Sequence, residues 1–204
     1  MQEIEFKFQV PVKKRKALQK AFTLLKAEPI HLAAQYFDTA DQTLAKHCIA
    51  IRRRQENDEW KQTFKAVDTA KALGRFELEF DIEPPETTTL DLDNYKKDYS
   101  AIYKKLKRAL GLPLPTLELL FETKIQRLRV LQDVGSITVE IALDIGKIFK
   151  EQSSVDIFEI EFELKQGSIE DLIAFIQAWI QKYQLSLDTH SKSDYGLQAV
   201  RQQS

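Results

Sequence analysis

Glu3 and Glu5 stand two residues apart at the start of the chain, and Glu159, Glu161 and Glu163 repeat that spacing near its end. Between them positive charge recurs at even spacing: Arg52 with Arg54, Lys61 with Lys65 on either side of Thr63, and Arg127 with Arg129, while Arg75 opens a stretch that continues with Glu77 and Glu79. Carboxylates are hard oxygen donors that suit divalent cations. Arginine offers planar, paired donors that match phosphate oxygens, and lysine adds a compact point charge. Together these residue types fit a chemistry that brings a metal ion and a polyanion to one place.

A spacing of two is the period of a β-strand. In Glu3-Ile-Glu-Phe-Lys7 the charged residues take one face and Ile4 and Phe6 the other. Phe158 to Lys165 is built the same way. A single strand of this kind is ordinarily half buried, with its charges in water. Its recurrence in two acidic and several basic strands predicts something else: a sheet closed around a charged interior, with a metal on one wall and a polyanion on the other.

The 204 residues suit one domain, or at most two small ones, and with no compositional shift to mark a second the chain reads as a single domain spanning 1–204. Thirty basic and 31 acidic residues leave a net charge of −1, which gives no support to a general nucleic-acid binder. Any polyanion site must therefore concentrate its positive charge locally. The lone Cys48 rules out an internal disulfide, and His31, His47 and His190 are too scattered for a zinc site. No signal-peptide core or membrane-length apolar run is present, so the expectation is a cytoplasmic protein without a membrane partner.

Several elements follow in order. Leu18, Phe22 and Leu25 form the apolar stripe of a helix over 12–27, whose Lys13–Lys16 run reads as a solvated start. Residues 32–39 read as a strand, 41–46 as a helical turn, and 49–54 as a strand that places Arg52 and Arg54 on one face and Arg53 on an exposed outer one. Residues 60–65 form its hairpin partner, and 74–82 alternate strictly as a further strand. A helix is predicted over 95–110, ended by Gly111. Strands follow at 117–131 and 136–146, where Gly146 reads as a turn into the next strand, and 151–156 reads as a polar loop. Ser168 caps a last long helix over 168–184, with Asp171 where a capping box would place Glu or Gln.

These strands carry a resemblance. Glu3-Ile-Glu-Phe-Lys7 matches the E-x-E-x-K signature of the CYTH domain, the triphosphate tunnel metalloenzymes. Tyr36-Phe-Asp-Thr39, Ile51-Arg-Arg-Arg54, Thr63-Phe-Lys65, Arg75-x-Glu77-x-Glu79, Thr123 with Arg127, Glu140-x-x-x-Asp144-x-Gly146 and Ser191-Lys192 with Gly196 continue it in order. The chain is similar above all to the bacterial inorganic triphosphatase branch. That resemblance implies an α+β fold: a closed antiparallel eight-stranded β-barrel with a charged interior, covered outside by α-helices. It implies metal-dependent hydrolysis of inorganic triphosphate to pyrophosphate and phosphate, with Mg²⁺ or Mn²⁺ held by Glu3, Glu5, Asp144, Glu161 and Glu163. Lys7, Arg52, Arg54, Lys65, Arg75, Arg127, Arg129, Lys165 and Lys192 would bind the substrate. Of these, Lys7, Arg52, Arg54, Lys65 and Lys192 would act in catalysis, Lys192 from the tunnel mouth.

The same fold admits a class IV adenylate cyclase or a thiamine or nucleoside triphosphatase, and a different class of protein would be a non-catalytic polyphosphate-binding module. No residue set reads as a site for adenine. Four carboxylates on the ligand face are of no use to a pure polyanion binder. The resemblance leaves room for a helical, histidine-rich CHAD domain C-terminal to this one in the full-length protein, and equally for a standalone chain.

Overall fold

A computed structural model describes residues 4–68, 74–92, 95–96 and 99–201, and within them every side chain except those at 67–68, 74–76 and 199–201. The alternating segments form strands β1 (Glu5–Gln9), β2 (Glu28–Asp38), β3 (Ile49–Glu56), β4 (Glu59–Asp68), β5 (Gly74–Ile82), β6 (Thr89–Leu90), β7 (Leu117–Val134), β8 (Ile137–Lys150), β9 (Ser153–Gln166) and β10 (Ser186–Leu187). The helices are α1 (Val12–Leu24), α2 (Thr43–Lys46), α3 (Ser100–Leu110), α4 (Ile169–Tyr183) and α5 (Lys192–Arg201). None of these helices is long and apolar enough to cross a membrane.

The strands make one sheet in the order β10-β1-β9-β8-β7-β2-β3-β4-β5, with β6 on β7, and every pairing with a described register is antiparallel. The expected closed eight-stranded barrel is not what forms. The described residues form ten strands, and among them no hydrogen-bonded pairing joins β5 to β10 to close the ladder. Alternating charge requires only that one face of a sheet be polar; it does not specify how many strands share that face or whether the edges meet.

Contacts divide the chain into two compact units. The first comprises residues 1–31, 124–147 and 155–191, and the second 32–123, 148–154 and 192–204. In the first unit, Phe8 of β1, Ile160 and Phe162 of β9, and Val139 and Ile141 of β8 put their apolar parity into a core. Leu18 and Phe22 of α1 and Leu172, Ile176 and Tyr183 of α4 cover that core, so the helical spacing does its predicted job. The Ser168 hydroxyl accepts the Asp171 amide at 3.1 Å. Asp171 does not complete a capping box; its short carboxylate takes the Ser136 hydroxyl at 2.6 Å.

In the second unit the core joins Phe37, Ile51 and Phe64 to Ile102 and Leu106 of α3. Of the expected helix over 95–110, Tyr95 and Lys96 are helical and Ser100–Leu110 form α3, with Tyr99 outside a helix. Tyr95 is fully buried, accepts Gln62 Nε2 at 2.7 Å, and has its pKa pushed up to about 12 by burial. Arg53 is not left in solvent on an outer face. Its Nη1 donates to the Thr87 and Thr89 carbonyls at 3.1 and 3.2 Å, and its guanidinium lies 5.2 Å from the Phe37 ring centroid.

Two turn readings are corrected. The expected polar loop 151–156 shrinks to a tight reversal at 151–152, because β8 runs to Lys150 and β9 begins at Ser153. Gly146 is not a turn residue: β8 passes straight through it. Its small size serves a close approach, since a Cβ there would lie 2.8 Å from Ile125 Cα and closer still to the Lys124 carbonyl. Backbone atoms cannot rotate aside, so Gly146→Ala is expected to cost about 1–3 kcal/mol, as overpacking does. Urea denaturation of the two proteins measures it, and an unchanged midpoint would show that the crowding is not real.

Candidate functional site

In the first unit, antiparallel register sets Lys7 of β1 opposite Glu161 of β9, and Glu5 opposite Glu163. β8 lies on the other side of β9 and supplies Asp144. Asp144 is 0% exposed, Glu159 1% and Glu161 8%, so the charged parity of β8 and β9 is buried at these three positions, while Glu140 and Glu163 are half-buried. That separates this sheet from one with a wet polar face. One carboxylate oxygen from each of Asp144, Glu159 and Glu161 lies within 4.8 Å of the others.

Buried carboxylates this close repel and must be compensated. Arg127 of β7 donates Nε to Asp144 Oδ1 and Nη2 to Asp144 Oδ2, both at 2.7 Å, and Nη2 also bonds Glu161 Oε2. Burial alone would lower the Arg127 pKa; Asp144, Glu161 and Glu5 more than reverse that. Lys7 Nζ lies 3.6 Å from Glu159 Oε2. Among the described contacts, Arg127 and Lys7 are the cations that meet these three carboxylates. Beside this group, Lys165 bridges Glu163 at 2.7 Å and Glu140 at 3.5 Å, and burial, which opposes its charge, is outweighed by those carboxylates. All-oxygen donors at this spacing fit a hard divalent cation such as Mg²⁺ or Mn²⁺ and lack the nitrogen and sulfur ligands of a structural zinc site.

The second unit gathers its cations at other carboxylates. β3 and β4 pair Arg52 with Thr63 and Arg54 with Lys61, and β5 sets Glu79 opposite Thr63. Glu79 therefore receives several groups at once. Arg52 lies 3.9 Å away, Arg54 3.4 Å and Lys61 3.8 Å, and the Thr63 hydroxyl donates at 3.0 Å. Lys65 pairs separately with Glu77 at 2.9 Å. Arg54 also lies 3.6 Å from Glu56, and the guanidinium and ammonium donors gathered here suit phosphate oxygens.

Burial acts to raise the Glu79 pKa, but Arg54, Thr63, Arg52 and Lys61 hold it below the ordinary 4.5. A depressed folded-state pKa stabilises above the unfolded value, and that contribution is lost as pH falls through the folded one. Glu79→Gln is therefore expected to flatten the acid side of a stability–pH profile, below about pH 4.5. Denaturation midpoints across that range check it, and parallel profiles for the two proteins would remove Glu79 from the network's electrostatics.

Arg52 also has Tyr36 opposite it on β2. Burial opposes its charge, while the hydrogen-bonding Tyr36 hydroxyl and then Glu77 and Glu79 raise its pKa. The Tyr36 ring stacks on Phe121 with centroids 4.5 Å apart and planes 17° apart. Phe121 in turn fills the space where a Cβ on Gly196 of α5 would be.

Of the residues singled out by sequence, β1, β8 and β9 place Lys7, Asp144, Glu161 and Glu163 among paired charges with Arg127 and Lys165. Arg52 and Arg54 meet at Glu79, while Lys65 is engaged one pair along. Arg129 is set apart in an exposed pair with Glu28 at 3.0 Å, and Lys192 opens α5. Glu5 is exposed in β1, Glu3 lies outside the described residues, and Arg75 is described only as a backbone partner of Val67. The ligand set implied by the resemblance leaves out Glu159, and sequence reasoning assigns no role to Glu79 or Asp188. Glu159 shares the parity of Glu161 and Glu163, and that signal could have found it. Glu79 stands in the R-x-E-x-E strand beside Glu77, which pairs with Lys65.

A mixed-charge sheet that buries carboxylates in one unit and gathers arginine and lysine in the other defines a charged-face β protein suited to cations and phosphates. The chain belongs to the CYTH domain family, whose model matches residues 1–195. It is 30% identical over 202 residues to an inorganic triphosphatase of Haemophilus influenzae, covering 96% of this chain and 54% of that protein. The chain thus spans about half the length of this curated relative. Two solved structures share the fold. The Hippeastrum protein HpAC1, described as an adenylyl cyclase candidate with a dominant triphosphatase activity, matches at 20% identity and TM-score 0.67, over 97% of this chain and 96% of that one. An adenylate cyclase candidate from Bacillus halodurans matches at 21% identity and TM-score 0.62, over 93% and 94%.

Proposed function

We propose that this protein hydrolyses inorganic triphosphate, using Mg²⁺ or Mn²⁺. The observation that carries the reading is the buried group of Asp144, Glu159 and Glu161. A protein that merely captured polyphosphate would gain nothing from it, since carboxylates repel phosphate and serve it only through a cation. Asp144, Glu159 and Glu161, with Glu3, Glu5 and Glu163, would hold the cation. When bound, the cation would neutralise negative charge on the phosphoryl group being transferred.

The chain's own cations do the rest. Arg52, Arg54 and Lys65, with Arg75, bind phosphate oxygens and hold the triphosphate extended for in-line attack. Lys7, Arg127 and Lys165 meet further oxygens from beside the carboxylates, and Arg129 and Lys192 complete the set of substrate contacts. Water attacks a terminal phosphorus and the bridging P–O bond breaks, releasing orthophosphate and pyrophosphate. Positioning and charge stabilisation suffice, so no nucleophilic side chain is required. The relative named as an inorganic triphosphatase supports the choice of substrate.

The deciding experiment measures phosphate release from triphosphate, ATP, thiamine triphosphate and pyrophosphate, each with Mg²⁺, Mn²⁺ or EDTA. Fast release from triphosphate that EDTA abolishes is expected. Cyclic AMP formed from ATP would reassign the protein to a cyclase, and tight binding without turnover would leave a polyphosphate-binding module.

A further inference from the structure

Asp188 follows the short edge strand β10, in a stretch with no alternating charge pattern, yet it is only 8% exposed. Both of its carboxylate oxygens are engaged within the first unit. Oδ2 accepts Gln9 Nε2 at 2.7 Å and lies 3.6 Å from Lys7 Nζ. Oδ1 accepts the His190 amide at 2.9 Å and lies 3.3 Å from His190 Nδ1. The Asp188 amide donates to the Lys7 carbonyl at 2.9 Å.

These bonds shape the turn after β10 as an aspartate shapes its own backbone two residues on. The turn carries the His190 carbonyl onto Lys7 Nζ, which donates to it. The Lys7 ammonium is then surrounded on three sides by the His190 carbonyl, Asp188 Oδ2 and Glu159 Oε2. A lysine side chain is a flexible four-carbon stem with a large rotamer entropy, so a carbonyl acceptor and two nearby carboxylate oxygens restrict where its ammonium sits. Two of those three acceptors are placed by Asp188, one directly and one through the turn. The third, Glu159, belongs to the buried carboxylate group.

We propose that Asp188 is a positioning residue for Lys7: by bracing the 188–190 turn against β1, it holds the Lys7 ammonium at Glu159 on the edge of the carboxylate group. Its kinetic consequence rests on the triphosphatase reading; its structural consequence does not. Asp188→Asn keeps the side-chain size but turns one of the two arms into a donor facing Gln9 Nε2 and Lys7.

The experiment has two arms on the full chain. In the first, reductive methylation of Lys7 is followed by mass spectrometry, with Lys13 and Lys14 as internal controls. Asp188→Asn is expected to raise the Lys7 rate severalfold relative to those controls, and an unchanged ratio would overturn the proposal. Gln9→Ala, which removes one brace from Asp188 and no charge, should shift the ratio less in the same direction; it decides the matter if Asp188→Asn does not fold. In the second arm, Asp188→Asn should lower kcat/KM for triphosphate roughly 10- to 100-fold, as a misplaced group does. The same substitution in a Lys7→Ala background should have little further effect, because the two act as one unit. Equal losses in both backgrounds would mean that Asp188 does not act through Lys7. Wild-type protein that fails to hydrolyse triphosphate would defeat the functional reading alone, and the methylation arm would still decide the role of Asp188.

Discussion

Glu161→Gln is expected to remove most cation-dependent phosphate release from triphosphate while leaving the chain folded. Glutamine keeps the side-chain volume and one carbonyl oxygen. It loses the negative charge that makes Glu161 a hard cation ligand, and its amide group meets Arg127 with donor against donor. Glu161 is 8% exposed and shares Arg127 with Asp144, so water cannot readily replace the missing charge. Charge stabilisation by a bound cation is worth several kcal/mol of transition-state energy. Losing most of it corresponds to a fall in kcat of about 10²- to 10³-fold. Calorimetric titration with Mg²⁺ should show weakened binding alongside the lost turnover. Retained turnover at unchanged cation affinity would take Glu161 out of the site, and a collapsed far-ultraviolet spectrum would show that the effect was on folding.

Arg127→Ala should destabilise the protein by about 3–5 kcal/mol, the usual cost of stripping one partner from a buried ion pair. Asp144 has no exposure at all, and two of its oxygen contacts are the Arg127 guanidinium. Without that guanidinium, three carboxylates with oxygens within 4.8 Å face each other in a protein interior. A proton or a divalent cation must then take the place of the lost charge. The deficit should therefore be largest in EDTA at neutral pH and shrink as Mg²⁺ is added, since a ligand that binds only the folded state stabilises it by mass action. Urea denaturation with and without Mg²⁺ gives both numbers. A midpoint equal to that of the unmutated protein would mean that Arg127 is not what balances the group, and an Mg²⁺-insensitive deficit would count against a cation site there.

Most strands were legible because charged and apolar residues alternate without interruption, as in Arg75 to Ile82 or Phe158 to Lys165. The pairing of Glu5 with Glu163 and of Arg52 with Thr63 follows from register, which needs the partner strand and is not contained in either sequence segment. Closure failed as an expectation for the same reason: parity describes a face, whereas strand number and edges are set by pairings far apart in the chain. Gly146 shows another limit. Glycine near a strand end reads equally well as a turn or as a close backbone approach, and only Lys124 and Ile125 of the neighbouring strand distinguish them. Asp188 carried no signal, because its partners Lys7 and Gln9 come from the opposite end of the chain.

Gly196, Phe121 and Tyr36 behave as a fixed volume shared among three residues. The hydrogen atom on Gly196 is all that the flat face of Phe121 leaves room for, and Tyr36 lies against the same ring. A larger residue at 196 must displace α5 or tilt the ring, and a tilted ring carries the Tyr36 hydroxyl away from Arg52. In descendants of this sequence, a side chain gained at 196 is therefore tolerated when atoms are lost at 121. The arginine's aim thus becomes a joint property of positions that never touch a phosphate.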